Sequence, residues 1–596
     1  MRRNVGGRTA LGRELRRGMP RWARVAASVL ALLVGAAIIT RPTTSLAVLA
    51  LLIGAGFALT GVLVLVDENR RGHVALGLAW IVVGAVLLAL PGLTVRATAL
   101  FVGIALIVDG AASVVGAFSR RIGADERISR ALLGVAGVVF GVLALSWPDV
   151  TLLVVAVVFG ARLVILGLVG LWRLWTAGSA PNRGIPNRGV PNRSLPRRWL
   201  RTLGAVLAVV VAVAAAGISS ALHGGSIAVD DFYAAPRTVP SEPGQLIRAE
   251  PFTRDVPAGA RGWRILYTTT GEDDRAAVAS GLVVVPDGDG RWPVIDWNHG
   301  TTGFARQCAP SLQEHPFESG ALFLLPQIIE NGWALTATDD IGLGTAGPHP
   351  YLIGVPTAHA SLDVVRAARQ LTDAHLGDQT VVWGHSQGGG GALWTGALAS
   401  SYAPDVPLSG VAALAPAANL PAFVETIQTM VGGSIFGSFV ASAYTAAYPD
   451  VTFREYIRPG AEVTVRALAS RCLAEPGTAV SVLTLLGLAR DPELFAQSPE
   501  TGPFARRLAQ NIPPAVGDAP LLIAQGSADS IILPAAQSAY VDDLCAAGRA
   551  VDYRSYPGLD HLALVAADSP LVPELMQWTR DRFDGVPVAA GCERRG

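Results

Sequence analysis

Long apolar segments alternate with short polar ones over the first third of the chain. Seven of them occur before residue 225, and each is about as long as a helix needs to cross the hydrocarbon core of a bilayer. They run over residues 23–40, 46–66, 74–91, 97–118, 130–147, 150–172 and 200–222. More spans follow the first one and no small-residue cleavage site precedes the second, so the first is interpreted as a membrane helix rather than a removable signal. The pattern predicts a multi-pass membrane domain.

The first six apolar segments form three repeats of a helical hairpin. A proline lies at each predicted turn, and glycines recur seven residues before it and 12 and 19 residues after it. The prolines are Pro42, Pro91 and Pro148, and the glycines are Gly35, Gly84, Gly141, Gly54, Gly103, Gly160, Gly61, Gly110 and Gly167. Because small residues on one face let membrane helices approach closely, we predict a six-helix bundle over residues 23–172 and a seventh helix over 200–222.

This repeat resembles the HdeD-type acid-resistance membrane family, in which short proline-turned hairpins occur in threes. The resemblance covers about residues 22–172 and implies a membrane fold without a particular activity. Two charged residues, Asp109 and Arg162, fall inside predicted spans, where a charge is costly and usually faces a partner or a cavity. We interpret them as a structural ion pair or a snorkelling arginine, with a polar relay or ligand site as the alternative.

Arginine is concentrated on one side of the predicted bundle. Residues 1–24 carry eight arginines, and further arginines follow the second, fourth and sixth segments. The positive-inside rule then assigns the N-terminus to the cytoplasm, and seven crossings assign residue 225 onward to the extracytoplasmic side. We predict a cytoplasmic basic tail over 1–22, a linker with three Pro-Asn-Arg repeats over 173–199, and a second linker over 223–260.

Short apolar runs alternate with amphipathic segments from residue 262 onward, which predicts a mainly parallel sheet with helices on both faces. Predicted strands cover 263–269, 279–286, 293–298, 333–338, 380–385, 409–415, 520–525 and 551–556, and predicted helices cover 317–330, 359–376 and 387–401. A helix-prone stretch at about 417–515 interrupts the strand rhythm. In a domain over 261–596, we expect this insertion to form a cap over the active site.

The amino-acid composition excludes several kinds of catalytic chemistry. The 47 basic residues are all arginines, which excludes a lysine Schiff base, a Ser-Lys dyad and a P-loop. The four cysteines lie in the C-terminal half without C-x-x-C spacing, so we expect two disulfides in an oxidising compartment and no zinc site. No nucleic-acid-binding pattern occurs.

The segment Gly384-His385-Ser386-Gln387-Gly388 follows a predicted strand and precedes a predicted helix. In that context the G-x-S-x-G pattern is typical of the nucleophile elbow of an α/β-hydrolase. Side chains at the two glycine positions would collide with neighbouring backbone, and the serine adopts a strained conformation. Ser386 is therefore the predicted nucleophile, and His385 is interpreted as a packing residue.

A serine nucleophile needs a histidine base, and in this fold the triad order is serine, acid, histidine. His561 is the only histidine after Ser386, so it is the predicted base. The acid is expected in the loop after the penultimate strand, which favours Asp529 as the residue that orients the imidazole. The competing acids are Asp542, Asp543, Asp552 and Asp560.

The oxyanion of the reaction needs two main-chain N–H donors. We assign one to Gln387, directly after the nucleophile. The other is expected from the loop over 298–303, where Thr301 is the first choice and Thr302 the alternative. His299, in the same loop, is interpreted as a structural residue.

Three groups of residues resemble the secretory lipase family, which includes fungal lipase A-type enzymes. They are His299-Gly300-Thr301-Thr302-Gly303 with Cys308-Ala309-Pro310-Ser311, Gly342-Leu343-Gly344-Thr345 with His349-Pro350-Tyr351-Leu352, and Gly384-His385-Ser386-Gln387-Gly388-Gly389. The resemblance covers roughly residues 245–590 and implies hydrolysis of lipid-like carboxylic esters without metal or cofactor. It also favours the pairs Cys308–Cys472 and Cys545–Cys592 among three possible pairings. Ile341 stands after Asp340 where an aromatic residue is expected, which leaves the acyl preference open.

Two functions of different classes fit the sequence. One is a membrane-anchored serine esterase or lipase, whose site would equally suit acyl transfer to an envelope alcohol. The other is a non-catalytic membrane stress-response or scaffold protein. The expected partners are a lipid or ester substrate and the membrane, with no nucleic acid, and the sequence indicates no oligomeric state.

Overall fold

A computed structural model describes residues 21–40, 91–118, 123–177, 194–224, 228–474, 477–488 and 494–596, with isolated residues between 58 and 88. Most of the predicted spans over 46–66 and 74–91 lies outside the described residues, as do nearly all of the basic tail, most of the Pro-Asn-Arg linker and the side chain of Arg162. The chain divides into two compact units, one helical and one built on a sheet.

The helical unit contains long apolar helices. They are α1 (Arg21–Thr40), α2 (Pro91–Ala117), α3 (Ala124–Ser146), α4 (Pro148–Ala177) and α5 (Ser194–Gly224). A proline begins α2 and α4, at the position where its fixed φ and missing N–H suit a helix. By length and composition, Ala124–Ser146, Pro148–Trp172 and Thr202–Ser220 are long and apolar enough to cross a membrane, while Ser28–Thr40 and Val102–Ala117 are shorter apolar helices.

Glycines of the repeat lie where helices meet. A Cβ atom on Gly110 of α2 would lie 2.6 Å from the main-chain oxygen of Gly134 in α3. Likewise, a Cβ atom on Gly35 of α1 would lie 2.6 Å from the main-chain oxygen of Gly160 in α4. The backbones approach this closely because these positions carry no side chain. Both contacts join helices of different predicted hairpins.

The second unit holds a ten-stranded sheet in the described part of the chain, in the order β1-β2-β3-β5-β4-β6-β7-β8-β9-β10. The strands are β1 (Leu246–Phe252), β2 (Ala260–Thr270), β3 (Ala276–Pro286), β4 (Trp292–Asn298), β5 (Ala334–Ile341), β6 (Leu376–His385), β7 (Leu408–Leu414), β8 (Leu521–Gly526), β9 (Val551–Tyr556) and β10 (Cys592–Arg595). The first three pairings along this order are antiparallel and the others parallel. The prediction of a mainly parallel sheet is correct.

Helices cover both faces of this sheet. They are α6 (Leu325–Glu330), α7 (Gly354–Ala368), α8 (Gln387–Tyr402), α15 (Pro534–Ala546) and α16 (Leu571–Phe583). Neighbouring residues of β6 point to opposite faces, since Trp383 joins an apolar cluster with residues of α6 and α16, and Val382 joins one with residues of α8 and α15. Burial on both sides explains why the central strands lack a polar–apolar alternation.

The insertion between β7 and β8 is helical. Its helices are α9 (Leu420–Thr429), α10 (Gly433–Ala447), α11 (Phe453–Tyr456), α12 (Glu462–Ala469), α13 (Gly477–Leu488) and α14 (Gly502–Gln510). Helix α10 packs on the loop before α7, where the rings of Phe439 and Tyr351 are 5.6 Å apart between centroids. The hydroxyl of Tyr444 donates to the main-chain oxygen of Leu352 at 3.1 Å. We call this insertion the cap.

Several segments differ from the sequence interpretation, and one of them is β10, a short strand that it does not contain. The predicted linker over 223–260 contains β1, a half-exposed edge strand too polar to be recognised from an apolar run. In the segment predicted as a helix over 317–330, the α-helix covers only Leu325–Glu330, because Pro326 fits the first turn of a helix but not its interior. The helix predicted over 359–376 runs from Gly354 to Ala368 instead, with Pro356 in its first turn.

Candidate active site

Ser386 lies in the turn between β6 and α8. Its φ of 58° and ψ of −119° are strained for a residue with a side chain. A Cβ atom on Gly384 would lie 2.0 Å from the main-chain oxygen of Gly388, and one on Gly388 would lie 2.0 Å from that of Asn298. The turn therefore requires glycine on both sides of the predicted nucleophile.

The three predicted triad residues form a hydrogen-bonded series. The Nε2 atom of His561 lies 2.8 Å from Ser386 Oγ, and its Nδ1 atom lies 2.7 Å from Asp529 Oδ2. When Nδ1–H donates to the carboxylate, Nε2 is left as an acceptor for the serine hydroxyl. All three residues follow the carboxyl ends of parallel strands, which brings them to the same edge of the sheet.

The carboxylate of Asp529 is strongly hydrogen-bonded. Its Oδ1 atom accepts from the main-chain N–H groups of Ile531 and Ile532, each at 2.9 Å, and its Oδ2 atom accepts from Gln525 Nε2 at 3.1 Å. Burial alone would raise the pKa of Asp529, but the hydrogen bonds from His561 and the two amides outweigh it and lower the pKa below its usual range. An ionised carboxylate is the form that orients an imidazole and stabilises its cation.

The competing acids make other contacts. Asp542 and Asp552 form ion pairs with arginines, and Asp543 is exposed on α15. Asp560 accepts hydrogen bonds from the two main-chain N–H groups that follow His561. Only Asp529, among these candidates, contacts the imidazole ring.

The proposed oxyanion donors lie beside Ser386 in the chain and in the loop after β4. Within the described residues, the main-chain N–H groups of Gln387, Thr301 and Thr302 donate no hydrogen bond. Unengaged N–H groups are what a developing oxyanion requires. Thr301 and Thr302 therefore both stay candidates for the second donor.

A disulfide fastens the loop after β4 to the cap. Cys308 pairs with Cys472 and Cys545 with Cys592, the pairing that the family resemblance favours. Beside the first bond, the main-chain N–H of Leu473 donates to the main-chain oxygen of Thr302 at 2.8 Å. The cap thus holds the loop that carries the candidate oxyanion donors.

Replacing Cys308 and Cys472 together by serine should lower the free energy of unfolding by up to about 5 kcal/mol, because the bond closes a 164-residue loop. Replacing Cys545 and Cys592 together should cost about 1 kcal/mol less, since that loop spans 47 residues. Urea denaturation without reductant, followed by residual activity, compares the two variants. A larger loss from the second pair would contradict this expectation.

His385 supports the predicted base. Its Nε2 atom lies 3.0 Å from the main-chain oxygen of His561, and the two rings are 4.6 Å apart between centroids. Burial lowers the pKa of His385 to about 3, so the ring is neutral and donates through Nε2–H. The sequence predicts only a packing role for His385, and in the structure His385 also holds the loop that carries His561.

His349 contacts the residue after the nucleophile. Its Nε2 atom lies 3.0 Å from Gln387 Nε2, and its Nδ1 atom lies 3.3 Å from the main-chain oxygen of Ile341. Burial lowers the pKa of His349 to about 3, so the neutral ring donates from Nδ1 and accepts at Nε2. The sequence marked His349 only as part of a family motif, because the contact depends on how two distant turns meet.

The variant His349→Ala should lower kcat about tenfold with little change in KM, because Gln387 loses a buried partner beside the proposed oxyanion donor. Gln387→Ala should have the same effect, and the double variant should lose no more than either single variant. Steady-state kinetics of the three variants form the test, with His359→Ala as the control at a remote buried histidine. Additive losses would show that the two side chains act separately.

Comparisons with known proteins identify both parts of the chain. The family model for secretory lipases matches residues 318–591. The chain carries a secretory lipase domain at its C-terminus. A short repeat of unknown function, DUF308, matches residues 26–74, 75–134 and 132–185, and this repeat is the HdeD-type membrane family. Both resemblances drawn from the sequence are confirmed.

The lipase domain also has curated and structural relatives. It is similar to lipase A of Moesziomyces aphidis, with 24% identity over 389 residues that cover 61% of this chain and 81% of that protein. A secreted triacylglycerol lipase of Malassezia globosa is 26% identical over 353 residues, which cover 55% of this chain and 74% of that protein. The closed-state structure of Candida antarctica lipase A matches with a TM-score of 0.50 and 21% identity, covering 61% of this chain and 87% of that one. The lipase domain therefore has an α/β-hydrolase fold, and it is a lipase or esterase.

Proposed function

We propose that the protein is a membrane-anchored serine ester hydrolase that acts on lipid-like esters through an acyl-enzyme. The observation that carries the proposal is the hydrogen-bonded series from Ser386 Oγ through His561 to Asp529. A buried imidazole between a hydroxyl and an ionised carboxylate is the arrangement that activates serine as a nucleophile.

In the proposed reaction, His561 Nε2 takes the hydroxyl proton of Ser386 while Oγ attacks the ester carbonyl carbon. The N–H groups of Gln387 and of Thr301 or Thr302 stabilise the tetrahedral oxyanion. The ester C–O bond then breaks, the alcohol leaves with the proton from His561, and the acyl group stays on Ser386. Water, deprotonated by His561, attacks the acyl-enzyme and releases the carboxylic acid as Ser386 regains its proton.

Asp529 has two tasks in this scheme. Its Oδ2 atom accepts from Nδ1–H of His561 and so keeps Nε2 directed at the serine hydroxyl. It also stabilises the imidazolium that forms when the proton is taken. The lowered pKa of Asp529 supports both tasks, because the carboxylate stays ionised.

The lipid-like substrate is inferred from the cap and from the relatives. The cap and the loop before α7 share a cluster of buried apolar side chains, including Leu352, Phe423 and Phe439. Leu562, next to the proposed base, is 59% exposed. An exposed apolar side chain beside the polar triad suits contact with an acyl chain, and one relative is named a secreted triacylglycerol lipase.

The membrane anchor is inferred from the apolar helices and the repeat family. We propose that residues 23–172 form the membrane domain, that 200–222 cross the membrane once more, and that the N-terminus is cytoplasmic. The lipase domain is then extracytoplasmic, a side that suits its two disulfides. Extraction of membranes with carbonate should leave the full chain in the pellet, and its release would contradict the anchor.

The acyl-enzyme is tested by trapping it. The full-length protein in detergent is mixed with p-nitrophenyl butyrate, quenched in acid and digested, and the peptide that contains Ser386 should carry the butyryl mass. Acylation of a different residue, or turnover without any acylation, would contradict the proposal. Added alcohol should not change the product from free acid to ester, and a dominant ester product would identify an acyltransferase instead.

A further inference from the structure

A cavity of about 210 Å³ opens at the edge of the sheet opposite Ser386. Leu521 and Val551, the first residues of β8 and β9, lie in its wall, whereas Ser386 follows the carboxyl end of β6. Other lining residues include Arg554, Trp578, Arg582 and Arg595. Parallel strands put their amino ends at one edge and their carboxyl ends at the other, so this cavity is separate from the candidate active site.

Arg582 is the unusual residue of this cavity. Its side chain is only 7% exposed, yet within the described part of the chain no hydrogen bond or ion pair reaches its guanidinium, and its Nε atom is buried without a partner. The other two arginines are engaged, since both lie in ion pairs with Asp552. A guanidinium stays protonated, and the carboxylates of Asp581 and Asp552 attract this charge without forming a hydrogen bond with it. An anion in the cavity would accept the hydrogen bonds that the guanidinium does not make within the described residues.

The structure holds Arg582 in place. A Cβ atom on Gly410 of β7 would lie 2.9 Å from Arg582 Cγ, so the aliphatic stem packs where β7 lacks a side chain. The guanidinium carbon lies 5.5 Å from the ring centroid of Trp578. Because packing already fixes the side chain, an anion that binds it loses little further entropy of ordering.

The lining indicates the class of anion. A planar guanidinium offers paired N–H donors that match the two oxygens of a carboxylate. The carboxylates at the cavity form their hydrogen bonds with other groups, since Asp552 and Glu593 pair with arginines other than Arg582 and Asp581 accepts from Gln577.

Leu521, Trp578, Val586 and Val588 add apolar wall beside Arg582. The volume lies below the range of roughly 300–1,000 Å³ typical of sites for larger ligands. We propose that Arg582 forms a second site, which binds the carboxylate of a short-chain organic acid. The inference does not depend on the triad chemistry.

Calorimetric titration of the full-length protein in detergent with butyrate tests the site. Wild type should bind butyrate saturably, with a Kd on the order of 1 mM. Arg582→Gln should weaken binding at least about tenfold, the effect of losing one charged hydrogen-bond partner. The control Arg580→Gln, a half-exposed arginine of the same helix that contacts Asn331 and Gln577, should bind like wild type. Absence of butyrate binding, or binding unchanged in Arg582→Gln, would overturn the proposal.

A second variant distinguishes loss of the binding site from loss of the fold. Val586→Trp blocks the cavity wall at a residue that is 45% exposed, keeps Arg582, and should weaken butyrate binding as well. Retained esterase activity in both variants identifies folded protein. A parallel titration with inorganic phosphate distinguishes the anion class, and tighter phosphate binding with the same dependence on Arg582 would overturn the assignment to a carboxylate.

Discussion

Replacing Ser386 by alanine should reduce kcat for p-nitrophenyl butyrate by about 10⁴- to 10⁶-fold. The hydroxyl that forms the acyl-enzyme is lost, while the N–H groups of Gln387 and of Thr301 or Thr302 stay. Substrate binding should therefore persist, and any residual rate comes from oxyanion stabilisation of direct attack by water. Stopped assays on the full-length protein, with enzyme at concentrations high enough to detect single turnovers, measure the loss.

The alanine variant is a clean test because the elbow does not need the hydroxyl to form. Alanine keeps the Cβ atom, so the strain of the positive φ at this position is the same in both proteins. The free energy of unfolding should change by less than about 1 kcal/mol. Ser401→Ala, at the exposed end of α8, is the matched control and should keep the wild-type rate. Equal rates for wild type and Ser386→Ala would remove the proposed nucleophile.

The parts of the fold that could be predicted from sequence are those specified by local patterns. Buried parallel strands appear as short apolar runs, and the elbow requires glycine at 384 and 388 for steric reasons that hold in any chain. The order of the residues after Ser386 leaves a single histidine, so the predicted base needed no tertiary information. The structure brings both residues within hydrogen-bond distance.

Features that depend on distant packing could not be read in this way. The edge strand β1 is polar and half-exposed, because only one neighbouring strand covers it. The contact between His349 and Gln387 joins residues 38 positions apart through two turns. Likewise, nothing near Arg582 in the sequence indicates that its stem lies on Gly410 and that its Nε atom is buried without a hydrogen bond in the described part of the chain.

The glycine repeat lies between these two cases. Its spacing predicts close helix contacts, yet spacing alone does not say which helices meet. Among the described residues, the structure pairs α1 with α4 and α2 with α3, so the repeat glycines of these four helices join different hairpins. A repeat that places its glycines on the same helix face in every unit is compatible with contacts within one hairpin and with contacts between hairpins. Only the packed helices distinguish the two arrangements.

Asp529→Asn should lower kcat by about 10⁴-fold although it changes only one atom. The main-chain N–H groups of Ile531 and Ile532 both donate to Oδ1, so the amide oxygen of the asparagine will take that position. The amide nitrogen then faces His561 Nδ1 and donates to it. This hydrogen bond stabilises the tautomer with the proton on Nε2, which cannot accept the proton of Ser386.

Gln525 loses its hydrogen bond to residue 529 in this variant, but its Nε2 atom keeps the main-chain oxygens of Gly526 and Ile532 as acceptors. The two N–H donors at Oδ1 outnumber this single donor at Oδ2, so the asparagine oxygen stays at the position of Oδ1. The matched control is Asp560→Asn, which keeps an acceptor for the turn after His561 and should keep the wild-type kcat. If Asp560→Asn lost as much activity as Asp529→Asn, orientation of the imidazole by Asp529 would not explain the loss, because a carboxylate that does not contact the ring would matter equally.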